Sequence, residues 1–273
     1  MAPRRRAVPT PPKPLRPGLK LRGYLALALV CITLLLCDPV QRFIIAPWVR
    51  LVPRKRIAVF GRWQHAMAQV VLKPIRWIGG AHIPELPRIT PGEDVLILMN
   101  HQSVLDIPLV VASLESGYPR IVTRKRYWRG IPLISHMVRL YQYPVVNPAA
   151  NPGETRKMLT DLAHAARDTD VPLVVFPEGT RSRDGEIGAF MTTGLRLILR
   201  QRPWTVYVVV ADGFWQRAKL KDFLGGMSGI RGRISLVGPL TWDQPRGDSE
   251  AFIEEVRQIM VSRLAEMRAG AAA

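Results

Sequence analysis

Apolar residues are distributed along the chain in three different patterns. Residues 1–22 are rich in proline and arginine and show no apolar period, which is typical of a disordered basic tail. Gly23 to Cys37 form a continuous apolar run, and apolar residues recur at helical spacing among basic ones from Ile57 to Ile78. Short apolar runs then alternate with amphipathic segments. The pattern predicts a tail at 1–22, a membrane anchor with an amphipathic linker at 23–78, and a folded domain at 79–273.

The folded region alternates predicted strands with predicted helices. Asn151-Pro152-Gly153-Glu154 is typical of a helix start, with asparagine as N-cap, proline first and glutamate third, and this helix should extend to about Arg167. The other predicted helices are Ile107–Leu114 and Ser249–Met267. The predicted strands are Asp94–Met99, Arg120–Thr123, Leu173–Phe176, Val206–Ala211 and Arg233–Val237. This alternation predicts an α/β fold.

The apolar run Gly23–Cys37 is short for a membrane crossing. Its 15 residues would span about 22 Å as a helix, whereas the hydrocarbon core of a bilayer is about 30 Å thick. The next stretch, Val40–Val52, mixes large apolar residues with two arginines, which suits the depth of the lipid headgroups. We therefore expect a re-entrant or interfacial anchor in which Val40–Val52 returns the chain. A true transmembrane helix lengthened by Lys20 and Arg22 is one alternative, and a secretory signal without a recognisable cleavage site is another.

Composition and charge narrow the choice of partner and compartment. Hydrophobic residues make up 48% of the 273 residues, which is enough for a sizeable core. The net charge of +18 is concentrated in residues 1–92, which contain 16 lysines and arginines but only Asp38 and Glu85 as acidic residues. Such a segment attracts anionic lipid headgroups, and without zinc-ligand spacing or an aromatic RNA-binding signature we expect no nucleic acid partner. Cys31 and Cys37 both lie in the apolar run, which argues against a disulfide framework or a cysteine metal site and favours a reducing compartment.

Two polar blocks carry the candidate chemistry. The first, Asn100-His101-Gln102-Ser103-Val104-Leu105-Asp106, follows the predicted strand Asp94–Met99, at the junction where α/β proteins usually place their sites. Histidine has an ordinary pKa of about 6.5, so a neutral His101 can take a proton from a hydroxyl near neutral pH. Asp106 can orient that imidazole. The same carboxylate also completes a capping box with Ser103, and the two roles can coexist on its two oxygens.

The second block, Phe176-Pro177-Glu178-Gly179-Thr180-Arg181-Ser182, begins at the end of the predicted strand Leu173–Phe176. It should therefore reach the same sheet edge as His101. Gly179 lets the backbone approach a ligand closely, and Arg181 can chelate phosphate oxygens. An ordinary polar turn is the alternative interpretation. The chain has no Gly-x-Ser-x-Gly elbow, which argues against a covalent serine nucleophile.

Together the two blocks resemble those of the phospholipid and glycerol-phosphate acyltransferase family, of the 1-acyl-sn-glycerol-3-phosphate acyltransferase type, over roughly residues 80–215. The resemblance implies a glycerol-phosphate-acyltransferase-like mixed sheet flanked by helices, with residues 79–273 as the acyltransferase domain and a membrane-associating helical segment before it. It also implies that His101 deprotonates the acceptor hydroxyl, which attacks the donor thioester, while Asp106 holds the imidazole. The substrate-binding residues that it implies are Glu178, Gly179, Thr180 and Arg181.

The same resemblance implies transfer of a fatty acyl group from acyl-CoA or acyl-carrier protein to 1-acyl-sn-glycerol-3-phosphate, which makes phosphatidate in phospholipid biosynthesis. It implies no metal and no cofactor beyond the acyl donor, because the thioester is already activated. These donors are cytoplasmic. We therefore expect the catalytic domain to face the cytoplasm at the inner membrane, which one full crossing from a cytoplasmic N-terminus would not allow.

The chain departs from the family pattern at basic positions. Asn147 is followed by Pro148 where the family usually has an arginine, and Phe190 is followed by Met191 where a lysine is common. Thr123-Arg124-Lys125-Arg126 resembles a basic segment of the family, but no single residue of it stands out from a solvated face. These departures leave another lysolipid open as the acceptor. A non-catalytic membrane lipid-binding protein on the same fold is a further alternative.

Overall fold

The computed structural model describes residues 17–217, 223 and 226–270. Residues 1–16 of the predicted tail lie outside the described residues, whereas residues 17–22 are helical rather than disordered. The helices are α1 (Pro17–Val40), α2 (Ala46–Leu51), α3 (Arg56–Trp77), α4 (Asp106–Ser113), α5 (Ile134–Leu140), α6 (Pro152–Arg167), α7 (Thr192–Leu199) and α8 (Ser249–Ala269). The strands are β1 (Val95–Met99), β2 (Arg120–Ile121), β3 (Thr123–Arg124), β4 (Val145–Val146), β5 (Leu173–Val175), β6 (Trp204–Asp212) and β7 (Arg233–Trp242).

Five strands form the central sheet in the order β2-β5-β1-β6-β7, and β3 pairs with β4 separately. The first four of these strands are parallel, and β7 joins β6 in the antiparallel direction. All five residues of the central strand β1 are buried, as expected for an apolar run covered on both faces. The mixed sheet flanked by helices confirms the predicted fold class.

Two apolar cores cover the two faces of the sheet. Ile97 and Met99 of β1 belong to the core that includes residues of α3 and α4. Leu96 and Leu98 belong to the core that includes residues of α7 and α8. Successive side chains of a strand point to opposite faces, so a continuous apolar run is what a strand between two cores requires.

Element boundaries differ from the prediction where partner strands decide them. The predicted strand Arg120–Thr123 is divided, because its first half pairs with β5 and its second half, as β3, pairs with β4. The predicted strand Arg233–Val237 continues to Trp242 along β6. The short helices α5 and α7 were absent from the predicted elements. In each case the missing information comes from packing partners distant in sequence.

The N-terminal helices form a hairpin that turns later than predicted. α1 continues through the π-helical segment Gln41–Ile45 into α2. The prediction that Val40–Val52 returns the chain is therefore wrong. The chain turns at Val52–Lys55 instead, and α3 packs against α1. The helical stretch Gly18–Leu51, with 34 residues and a mean hydropathy of 2.0, could cross a membrane by length and composition alone.

Asp38 explains why the helix does not end at Pro39. Its Oδ2 pairs with Arg42 Nε one helical turn later at 2.8 Å, and its Oδ1 accepts a hydrogen bond from the backbone N–H of Leu133 at 2.6 Å. Proline removes a backbone donor from a helix, and the π-helical segment that follows accommodates the irregularity. Asp38 makes both contacts with its side chain from within α1, and the helix continues past Pro39.

Candidate functional site

His101 lies at the carboxyl end of β1, and Asn100 fixes the position of this strand end. The Asn100 side chain donates from Nδ2 to the carbonyl of Ala211 at 2.9 Å, and its Oδ1 accepts from the N–H of Ala211 at 2.7 Å. This pair of bonds joins the ends of β1 and β6. The residue that follows therefore leaves the sheet at a defined point, at the sheet edge where the sequence predicted it.

Asp106 is the direct partner of His101. The distance between His101 Nδ1 and Asp106 Oδ2 is 2.7 Å, and the aspartate side chain is fully buried. Oδ2 also accepts from the backbone N–H groups of Gln102 at 2.6 Å and Ser103 at 2.8 Å. The imidazole-orienting and capping roles thus coexist, but on one oxygen rather than two. Buried Oδ1 has no hydrogen-bond partner among the described residues.

This geometry determines which imidazole nitrogen can act. Nδ1 donates to a carboxylate oxygen, so Nε2 of the neutral ring carries the free lone pair. The His101 side chain is 21% exposed, so a substrate can reach the ring. The ring also packs on Phe176, with 4.5 Å between ring centroids. The imidazole is therefore held on one side by a carboxylate and on one face by an aromatic ring.

Glu178 joins the two polar blocks. Its Oε1 accepts from the backbone N–H of His101 at 3.0 Å, and its Oε2 accepts from the backbone N–H of Gly188 at 2.9 Å. A further bond runs from the N–H of Ser182 to the carbonyl of His101 at 2.7 Å. Burial raises the pKa of Glu178, while the two backbone N–H donors act to lower it. Both carboxylate oxygens are engaged by the protein, so direct contact of Glu178 with substrate stays a prediction.

The remaining predicted residues surround a tight turn. Gly179 has a φ of 63°, in the left-handed region that glycine adopts without strain. Its carbonyl accepts a hydrogen bond from Arg124 Nη2. Thr180 is exposed and Arg181 is partly exposed. The turn thus brings Arg124 to the second block, which itself contains Arg181. The role of both arginines in binding a substrate stays a prediction.

Three residues that shape the site were given no individual role from the sequence: Asn100, Gln102 and Arg124. Gln102 is fully buried, donates to the carbonyl of Gly185 at 3.4 Å and accepts from the N–H of Phe214 at 3.2 Å. A polar side chain directly after an apolar strand was the only available signal. The partners of these residues lie 55 to 112 positions away, so no local pattern could have identified the contacts.

The chain is similar in sequence to known acyltransferases. Residues 79–211 match the family model described as Acyltransferase. The chain is 24% identical over 180 residues to a 1-acyl-sn-glycerol-3-phosphate acyltransferase of Cocos nucifera, covering 65% of this chain and 55% of the relative. It is 24% identical over 157 residues to a Limnanthes douglasii protein of the same name, covering 58% and 52%. The chain spans about half the length of the curated relatives it matches.

The fold is also that of a solved structure. The crystal structure of the 1-acyl-sn-glycerophosphate acyltransferase from Thermotoga maritima matches with a TM-score of 0.59 and 17% identity, covering 92% of this chain and 95% of that chain. The family model spans β1, both polar blocks and β6 as far as Ala211. Residues 79–211, the segment that carries His101 and Glu178, therefore match the acyltransferase family.

Proposed function

We propose that this protein is a membrane-associated O-acyltransferase that moves a fatty acyl group from acyl-CoA or acyl-carrier protein to 1-acyl-sn-glycerol-3-phosphate, making phosphatidate. The observation that carries the proposal is the 2.7 Å contact between His101 Nδ1 and buried Asp106, which leaves Nε2 available as a base. Relatives with this acceptor in their names support the choice of substrate.

The proposed reaction needs one proton relay. Nε2 of His101 takes the proton of the acceptor hydroxyl while the oxygen attacks the thioester carbonyl. The tetrahedral intermediate then breaks its C–S bond, and the imidazolium returns the proton to the leaving thiolate. Asp106 favours the imidazolium in this step, since an anion at 2.7 Å stabilises the charged ring. Proton transfer of this kind typically contributes about 10²–10⁴-fold to the rate.

Another lysolipid is the second candidate acceptor. Met191, at a position where the family commonly has a lysine, is exposed, and its backbone N–H donates to the carbonyl of Pro177 beside the second block. Pro148, where the family usually has an arginine, comes shortly after β4, which is paired with β3 at Arg124. Two cations that would favour a phosphomonoester are thus replaced by neutral side chains. Arg124 and Arg181 remain for the phosphate in the leading proposal.

The N-terminal helix supports attachment to one face of a membrane. Arg22 Nε donates to the carbonyl of Ile78 at 2.9 Å, and Asp38 binds the N–H of Leu133, so both ends of a stretch of about 24 Å are fixed to the rest of the protein. Spanning about 30 Å of hydrocarbon would carry these contacts into the bilayer. We propose an interfacial anchor in the inner membrane, with the catalytic domain in the cytoplasm beside its donors.

The proposal is tested by acyl transfer from labelled oleoyl-CoA to lysophosphatidate in membranes that contain wild type, His101→Ala or His164→Ala. Wild type and His164→Ala should form phosphatidate, because His164 is exposed on α6 and belongs to neither block. His101→Ala should lose about 10²–10⁴-fold of the rate. Full activity in His101→Ala would refute the mechanism. If wild type makes no product, transfer to other lysolipids and an acyl-carrier-protein donor would favour the second candidate acceptor.

A further inference from the structure

A cavity of about 540 Å³ lies between the N-terminal helix and the segment that follows β3. It shares no lining residue with the site around His101. Its lining combines four arginine or aspartate side chains with one tryptophan and small or apolar residues: Asp38, Arg42, Trp128, Arg129, Gly130, Ile131, Pro132, Ser135 and Arg139. We name this space the arginine cavity.

Contacts from the helix hold the wall of the arginine cavity in place. Gln41 is fully buried, and its Nε2 donates to the carbonyl of Leu133 at 3.2 Å. Asp38 accepts from the N–H of the same residue at 2.6 Å. Leu133 has a φ of 61°, which a residue with a branched side chain rarely adopts. A backbone so constrained by two helix side chains indicates a built wall rather than an incidental groove.

The charge of the cavity favours an anion. Three guanidinium groups face one carboxylate, and both oxygens of that carboxylate are already engaged, by Arg42 and by Leu133. Arg139 donates through Nη1 to the carbonyl of Trp128. Arg129 is exposed and makes no hydrogen bond or ion pair with another described residue. Guanidinium groups that line one cavity are suited to the oxygens of a phosphate.

The rim of the cavity is apolar and exposed. Trp128 and Ile131 line it and are exposed, and Phe43 and Ile44 directly follow Arg42 with exposed fractions of 76% and 59%. A soluble anion gains nothing from such a rim. A phosphate that carries acyl chains is stabilised by the lining and by the rim. Its headgroup contacts arginine, while its acyl chains lie beside the apolar side chains.

We propose that the arginine cavity binds the phosphate of an anionic bilayer lipid and so fixes the protein at the membrane surface. The inference rests on the membrane attachment proposed above. An occupied cavity would also hold the segment after β3, whose Arg124 contacts the carbonyl of Gly179. A lipid that is not a substrate would thereby support the second polar block.

Vesicle flotation of the purified full chain, without acyl donor, tests the site. Arg129→Gln should bind vesicles of phosphatidylcholine and phosphatidylglycerol about fivefold more weakly than wild type, because each basic residue near an anionic surface contributes about that factor. Arg200→Gln, an exposed arginine just after α7, removes the same charge outside the cavity and should bind like wild type. Thermal unfolding should be unchanged in Arg129→Gln, since the side chain has no described partner.

Calorimetry separates a lipid from a free anion. Short-chain phosphatidylglycerol should bind wild type saturably and Arg129→Gln about fivefold more weakly. Inorganic phosphate should bind wild type much more weakly than the lipid. Equal binding of inorganic phosphate, or equal vesicle binding by Arg129→Gln, would overturn the proposal while leaving attachment intact. Wild type that floats with no vesicle would overturn attachment as well. If Arg129→Gln changed only the KM for lysophosphatidate, measured in detergent, the cavity would be part of the acceptor site. That result would also overturn the proposal.

Discussion

At the scale of single residues, Asp106 concentrates three hydrogen bonds on one oxygen. Asparagine in its place can keep all three bonds through its single amide oxygen, but its NH₂ group then occupies the buried Oδ1 position, which has no partner among the described residues. The neutral amide would no longer stabilise the imidazolium that forms when Nε2 takes the acceptor proton, so His101 would be a weaker base. We expect Asp106→Asn to lower kcat by about 10–10³-fold, the usual effect of removing an adjacent opposite charge. Asp161→Asn, on exposed α6, should retain wild-type kcat.

Glu178 predicts a pH dependence of stability. Burial raises its pKa above the ordinary value of 4.5, so the folded state holds this proton to higher pH than the unfolded state. The contribution of protonated Glu178 to the free energy of unfolding is therefore fully present below pH 4.5. It is lost as the pH rises through the raised pKa. Chemical unfolding at a series of pH values should show this fall in the free energy of unfolding in wild type.

The fall should be absent in Glu178→Gln, because a neutral amide does not titrate. This variant should also lose about 1–3 kcal/mol of stability, since an amide accepts from only one of the two N–H donors through Oε1 and meets the other with its NH₂ group. Glu255→Gln, exposed on α8, should keep the wild-type pH profile. A profile identical in wild type and Glu178→Gln would contradict this assignment.

Residue-scale prediction worked where the chemistry was local. His101 and Asp106 are five positions apart, and a strand end followed by a helix start is enough to bring them together. The sequence predicted Glu178 at this sheet edge as a substrate-binding residue, and that role stays a prediction. Its backbone partners at His101 and Gly188 could not be read from a turn motif. Arg124 could not be chosen among its basic neighbours, since only the folded turn shows which one reaches Gly179.

At the scale of elements, the turn after β5 depends on a left-handed glycine. Gly179→Ala places a Cβ at a φ of 63° and against the Sδ atom of Met191, so we expect a loss of about 1–3 kcal/mol in the free energy of unfolding. Gly153 offers a matched control, because it lies in the first turn of α6 with only an ordinary contact to Asn151. Gly153→Ala should stabilise the protein by about 0.5–1 kcal/mol. Equal effects of the two substitutions in urea unfolding would contradict the role given to the turn.

Elements were predicted well when their own sequence determined them. α6 begins as expected, with Asn151 Oδ1 accepting from the N–H of Glu154 at 2.8 Å, and β1 is the expected buried strand. The return of the N-terminal helix was predicted wrongly, because Asp38 before proline is typical of a helix end. Contacts to Leu133, 95 positions later, keep that aspartate within the helix. No local pattern contains such information.

At the scale of the whole molecule, the N-terminal helix has one face on the protein and one face outside. Ala26 and Val30 are buried, whereas Leu29 and Leu36 of the same helix are exposed. An apolar face of this length in water would be unfavourable, and burial in lipid would remove it from water. The face opposite the domain is therefore the one that we expect to enter the membrane.

Leu36→Asp tests this orientation, because Leu36 is 67% exposed and its replacement should leave the fold intact. Burial of a leucine side chain is worth about 1.5–3 kcal/mol, so partition of the protein onto vesicles should fall by roughly tenfold or more. Val261→Asp places the same charge on an exposed apolar residue of α8 and should leave partition unchanged. If both variants bind vesicles like wild type, the outer face of α1 does not contact lipid. If both bind equally weakly, membrane contact extends to α8 and the anchor is not confined to the N-terminal hairpin.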